Sequence, residues 1–163
     1  MSHYEKVLSE FVVEEISRGS VIYVFTSKGG RVWSALKDVE GVRLFIMTDE
    51  VSYPKPTDSA SQMLVPRAND AVLLDSFDRT LASDGQANVS YVFDSVSDLV
   101  LYSGSESAYK FLKGVIELLS RSNVTALFLM ISGAHDERVR RLVLSLFGSH
   151  LAFDSTGLNS TRK

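Results

Sequence analysis

Hydrophobic and polar positions follow two rhythms along this chain, one of 3.6 residues and one of short unbroken apolar runs. Tyr4, Leu8, Phe11, Val12 and Ile16 recur at helical spacing, while Lys6, Ser9, Glu10 and Glu14 fall mostly on other faces. This predicts a helix over residues 3–18 that stops at Gly19. Val21 to Phe25 is a continuous β-branched and aromatic run, the signature of a strand buried on both faces. A turn at 27–30, a short helix over 32–37 and a second strand over 42–47 follow. Residues 51–62 carry Pro54, Pro56, Thr57, Asp58 and Ser59 and read as loop; residues 63–65 read as a short edge strand. Asn69 is placed to cap a helix reaching about residue 82, with Val72, Leu73, Phe77 and Leu81 facing inward. A turn at 83–85 leads to a third long strand over 89–93. A helix over 105–120 then points Tyr109, Phe111, Leu112, Val115, Ile116 and Leu119 inward. A fourth strand over 125–131, a helix over 136–146 ended by Gly148 and a last strand over 150–153 complete the pattern.

Strands alternating with helices at this spacing call for parallel βαβ units with right-handed crossovers. Strands apolar on both faces need helices on both sides. The expected fold is α/β, a three-layer α/β/α sandwich formed by a single domain over residues 1–154. The polar residues 155–163 read as a flexible tail. At 163 residues the chain is long enough to bury roughly 70% of its unfolded surface. It has no cysteine, which excludes disulfides, thiolate metal sites and cysteine nucleophiles. The longest apolar run, residues 126–131, is too short for a bilayer. The expectation is a cytoplasmic protein with no membrane association. A net charge of −3 argues against a dedicated nucleic-acid binder, which is usually basic over the whole domain.

The segment most suggestive of chemistry is Tyr91-Val92-Phe93-Asp94-Ser95-Val96-Ser97-Asp98, an apolar strand that ends in a carboxylate and a hydroxyl. Such a strand delivers an acid to the carboxyl edge of a parallel sheet, where Mg²⁺ and phosphates sit in nucleotide-binding folds. Residues 93–102 resemble the second nucleotide-binding motif of the RecA superfamily, most closely its KaiC-like branch. The similarity continues through Tyr109-Lys110-Phe111-Leu112-Lys113, Thr125 to Leu129, and Gly133-Ala134-His135-Asp136-Glu137-Arg138. It spans about residues 18–154 and is specific from about Val89 to Phe147. The resemblance implies a mainly parallel, RecA/P-loop-like sheet, ATP and Mg²⁺ as ligands where the site is intact, and side-by-side assembly of domains.

The first nucleotide-binding loop departs from that pattern. Thr26-Ser27-Lys28-Gly29-Gly30-Arg31-Val32-Trp33-Ser34 lacks G-x-x-x-x-G-K-[ST]. With Gly29 aligned to the loop's middle glycine, Val32 stands at the lysine and Trp33 at the Mg²⁺-binding hydroxyl. An isopropyl group and an indole supply neither the ammonium nor the alcohol that a triphosphate needs.

The candidate sites follow from this. Asp94 with Ser95 is the candidate Mg²⁺ and nucleotide contact, or else a strand-end carboxylate that caps local backbone. Ser27, Lys28, Gly29 and Gly30 form the candidate anion loop. Glu50, beside Asp49, is a candidate general base or a solvated loop acid. Ser132, His135 and Asp136 contain triad residue types on one loop, but no nucleophile elbow accompanies them; Asp136 reads better as a helix N-cap and His135 as a surface loop residue. His3, His135 and His150 lack metal-ligand spacing. Arg138 and Arg141 share a helix face with i, i+3 spacing and are candidate contacts for nucleic acid or an acidic partner. Three functional expectations result: a non-catalytic regulatory or adaptor protein that needs no cofactor and works through a protein partner or self-association; a divergent ATP-binding protein with weak hydrolysis; and a DNA-associated recombinase paralogue.

Overall fold

A computed structural model describes residues 3–85, 87–121, 123–154 and 157–162. The elements in chain order are α1 (His3–Ser17), β1 (Val21–Thr26), α2 (Arg31–Leu36), β2 (Val42–Thr48), β3 (Lys55–Pro56), β4 (Gln62–Pro66), α3 (Asp70–Asp84), β5 (Val89–Asp94), α4 (Val96–Ser103), α5 (Ser105–Leu119), β6 (Val124–Leu129), α6 (Glu137–Leu144), β7 (Ser149–Asp154) and β8 (Gly157–Arg162). Six strands form one sheet in the order β3-β4-β2-β1-β5-β6. All pair in parallel except β3, whose two residues lie antiparallel on β4. The fold is therefore α/β with a mixed, mostly parallel sheet.

The five parallel strands, numbered by their place in the chain, run 3-2-1-4-5 across the sheet. This is the order of doubly wound nucleotide-binding sheets. Its switch point, where the winding reverses, lies between β1 and β5. The packing of the helices follows from the reversal. Leu8 and Val12 of α1 and Val32 and Leu36 of α2 pack with Ile22, Val24, Val42, Leu44, Ile46 and Val92 on one face. Leu73 and Phe77 of α3, Val96 and Leu99 of α4, and Phe111, Leu112 and Val115 of α5 pack with Tyr23, Phe25, Met47, Tyr91 and Phe93 on the other. The α2 crossover uses one face and the α3 and α4–α5 crossovers the opposite face, as a single crossover hand requires when direction reverses. The second face is rich in aromatic rings. Phe25 stacks on Phe77 at 4.1 Å and on Phe45 at 4.7 Å between ring centroids, contacts that add about 0.5–1.5 kcal/mol each beyond area burial.

Most expected elements stand within one or two residues of the sequence reading. Three differ. Residues 96–103 form α4, a helix the apolar motif reading passes over. The 51–62 loop contains β3, so β4 is not the outermost strand. Residues 157–162 of the expected tail form β8, antiparallel to β7 in a separate hairpin; positions 155, 156 and 163 of that tail lie outside the described residues. No helix among the described residues is long and apolar enough to cross a membrane.

Candidate functional site

The carboxyl edge of the sheet at its switch point is where this architecture places ligands. β5 carries Asp94 to that edge, beside Thr26 at the end of β1. The Thr26 hydroxyl donates to Asp94 Oδ2 at 2.7 Å, joining residues 68 positions apart. Ser95 follows through a cis peptide bond and caps α4, its Oγ accepting from the Asp98 N–H at 3.1 Å. Burial raises the pKa of Asp94 above the usual carboxylate range; the Thr26 hydrogen bond opposes this and the charge of Asp98 adds to it. Tyr4 of α1 lies within electrostatic reach of Asp94. Its phenol is pushed up by burial first, then by the charges of Asp94 and Glu5, with Arg31 acting in the opposite sense. Asp94 is thus a half-buried acid held by a threonine and lying near a half-buried tyrosine.

The loop after β1 is a tight turn. The Gly30 N–H donates to the Ser27 carbonyl at 3.2 Å, and Gly29 takes a φ of +80° that glycine adopts without strain. The helix that follows has only six residues. Lys28 is exposed at the turn. Trp33 packs with the α1 and α2 core and carries the Lys37 ammonium 4.6 Å above its ring. Glu50 is exposed, its N–H donating to the Thr48 hydroxyl at 3.2 Å. The structure brings together Thr26, Asp94 and Ser95; Lys28 and Glu50 face solvent.

Arg67, immediately after β4, is a residue the sequence reading missed. Its guanidinium donates to Ser27 Oγ at 3.2 Å and to the Met47 carbonyl at 3.1 Å. It also bonds the Tyr102 hydroxyl, lies 4.7 Å from that ring's centroid and faces Asp49 at 3.9 Å. One side chain thereby ties together the ends of β1, β2 and β4 and the end of α4. No local pattern announces this, since the partners come from three segments far from Arg67 in the chain.

His135 is likewise placed otherwise than expected. Its Nε2 shares a hydrogen bond with Ser97 Oγ at 2.9 Å, and the same oxygen accepts from the Ile131 N–H at 2.8 Å. Ser97 is buried, so the pair fastens α4 to the segment that follows β6. Asp136 caps α6, accepting from the Val139 N–H at 2.8 Å. The side chain of Ser132 lies outside the described residues. His150 donates to the Leu144 carbonyl at 2.8 Å. Among the described residues, no group of three or more His, Asp or Glu side chains has metal-holding geometry.

On α6, Glu137 sits among the arginines. Arg141 bonds it at 3.0 Å and Arg140 at 3.2 Å. Its pKa is held below the usual range, first by the Arg141 hydrogen bond, with Arg140 adding to it. Arg138 remains exposed. Two surface depressions, of about 390 Å³ beside Ser20, Gly41 and Arg43 and about 340 Å³ along the outer side of α1, lie away from Asp94. Compared with known proteins, the chain matches no family model and no curated sequence.

Proposed function

We propose that the chain is a non-catalytic RecA/KaiC-like domain that acts as a regulatory or adaptor protein through protein contacts. The kinship part rests on the segment from Val89 to Phe147, because the strand order is common to doubly wound sheets in general. The observation that carries the functional part is the environment of Asp94. A Mg²⁺ site needs ionised carboxylates and room for bound waters. Here the acid is partly desolvated, engaged by Thr26 and close to half-buried Tyr4, and the neighbouring loop is a four-residue turn whose one lysine, Lys28, faces solvent. Titration calorimetry with ATP·Mg²⁺ is expected to give no binding heat. Tight binding, with turnover abolished by Asp94→Ala, would overturn the proposal.

One observation favours a second reading, divergent nucleotide binding. Arg67 puts a guanidinium beside the Ser27 hydroxyl at the carboxyl edge, chemistry suited to a phosphate oxygen. On that reading Arg67→Ala abolishes any ATP binding that calorimetry detects. A nucleic-acid role draws less support, since Arg140 and Arg141 both engage Glu137.

A further inference from the structure

The two edges of the main sheet are built differently. At one end lies β3, only two residues long, made of Lys55 and Pro56 and preceded by Pro54. Short length, a lysine and prolines are the devices that blunt an edge against further pairing. At the other end lies β6, with six residues, Val-Thr-Ala-Leu-Phe-Leu, and no charge or proline. It pairs with β5 along its whole length, and no other strand among the described residues pairs with its outer side. Thr125 and Ala126 are exposed. Just past the strand, Ile131 leaves 66% of its surface in water.

We propose that β6 is a self-association edge, joining two copies of the chain into one continuous sheet. The occupant follows from complementarity. A row of unpaired backbone N–H and C=O groups is matched by another such row, and the main sheet offers two. β3 is guarded, so β6 pairs with β6. A two-fold axis normal to the sheet sets the strands antiparallel and closes the assembly at a dimer; pairing β6 to β3 would instead run on as an open filament. Near a two-fold axis each residue meets its own counterpart, so a charge there would repel itself; β6 has none. Antiparallel pairing also lays Ile131 beside the start of the other copy's strand, covering it. This inference rests on backbone geometry and stands apart from the reading of Asp94.

Sedimentation equilibrium of the full chain tests it. The expected mass is twice the 18.0 kDa of one chain. The double variant Thr125→Lys, Ala126→Lys changes two exposed side chains. It is expected to keep its circular dichroism and sediment as a monomer, its dissociation constant raised on the order of 100-fold by like charges across the junction. In the wild type, hydrogen exchange of amides 124–129 slows as concentration rises. A monomer at every concentration overturns the proposal, as does a dimer indifferent to the lysines or a mass that grows past two copies. If the double variant does not fold, the wild-type exchange decides: protection of 124–129 that ignores concentration overturns it.

Discussion

Asp94 is costly to its own fold at neutral pH. Its pKa is raised chiefly by burial, so the folded state binds the proton more tightly than the unfolded chain does. For a carboxyl group shifted in that direction, stability rises as pH falls through the folded value and is reduced above it. Asp94→Asn keeps a hydrogen-bond acceptor for Thr26 and removes the charge. It is expected to raise the melting midpoint at pH 7 by a few degrees, and the gain should shrink toward zero as acidification protonates the native acid. Equal midpoints at pH 7, or a gain that grows in acid, would show that desolvation is not what sets this site. Arg67 predicts the opposite sign. Arg67→Ala leaves the Met47 carbonyl without its guanidinium partner and frees the ends of three strands. Its expected cost is about 1–3 kcal/mol, measured by urea unfolding, and Arg67→Lys recovers only part of it because an ammonium cannot reproduce the planar fork. Asp94 was legible in the sequence because an acid that ends an apolar strand is a local pattern. Its partner Thr26 and the Arg67 clamp were not, because they are made by segments that meet only after the sheet has formed.

At the scale of elements, the strands were legible because burial on both faces leaves continuous apolar runs that no helix face imitates. Strand order was not, because periodicity reports which residues are buried and is silent on which strand lies beside which. The α4 helix was hidden by its own composition. Val96, Leu99 and Val100 continue the apolar character of β5, and the eye runs on from strand to helix. The signal that separates them is Ser95 followed three residues later by Asp98, a capping pattern. The structure realises its first half, with the Ser95 hydroxyl accepting from the Asp98 N–H. Ser95→Ala should therefore cost roughly 1 kcal/mol in urea unfolding, and hydrogen exchange should rise in the first turn of α4. Ser95→Thr should restore most of both, since it keeps the capping hydroxyl. If alanine is neutral, α4 is held by packing of Val96 and Leu99 alone.

For the molecule as a whole, the two cores are unequal. The face covered by α3, α4 and α5, with Val143 of α6, carries a stack of aromatic rings. The opposite face has α2, six residues long, and α1. Leu8 and Val12 of α1 are both 1% exposed, and Tyr4, Phe11 and Ile16 pack around them. The same helix that brings Tyr4 near Asp94 therefore also packs, with α2, over one face of the sheet. This separates two views of what α1 is for. If α1 is structural, removing residues 1–18 bares Ile22, Val24, Leu44 and Ile46 to water, and the remainder loses cooperative unfolding and binds hydrophobic dyes. Leu8→Ala, a milder cut, costs about 2–5 kcal/mol without any gain of ligand binding. If α1 is instead a detachable plug over a working crevice, the shortened chain stays folded and soluble and acquires affinity for ATP·Mg²⁺. The buried apolar residues of α1 outnumber its one tyrosine at the edge, and removing them from water is worth roughly 1.5–3 kcal/mol for each large side chain. The expected outcome is collapse of the fold. A soluble, cooperatively melting fragment that binds nucleotide would reverse the reading of Asp94 as well as that of α1.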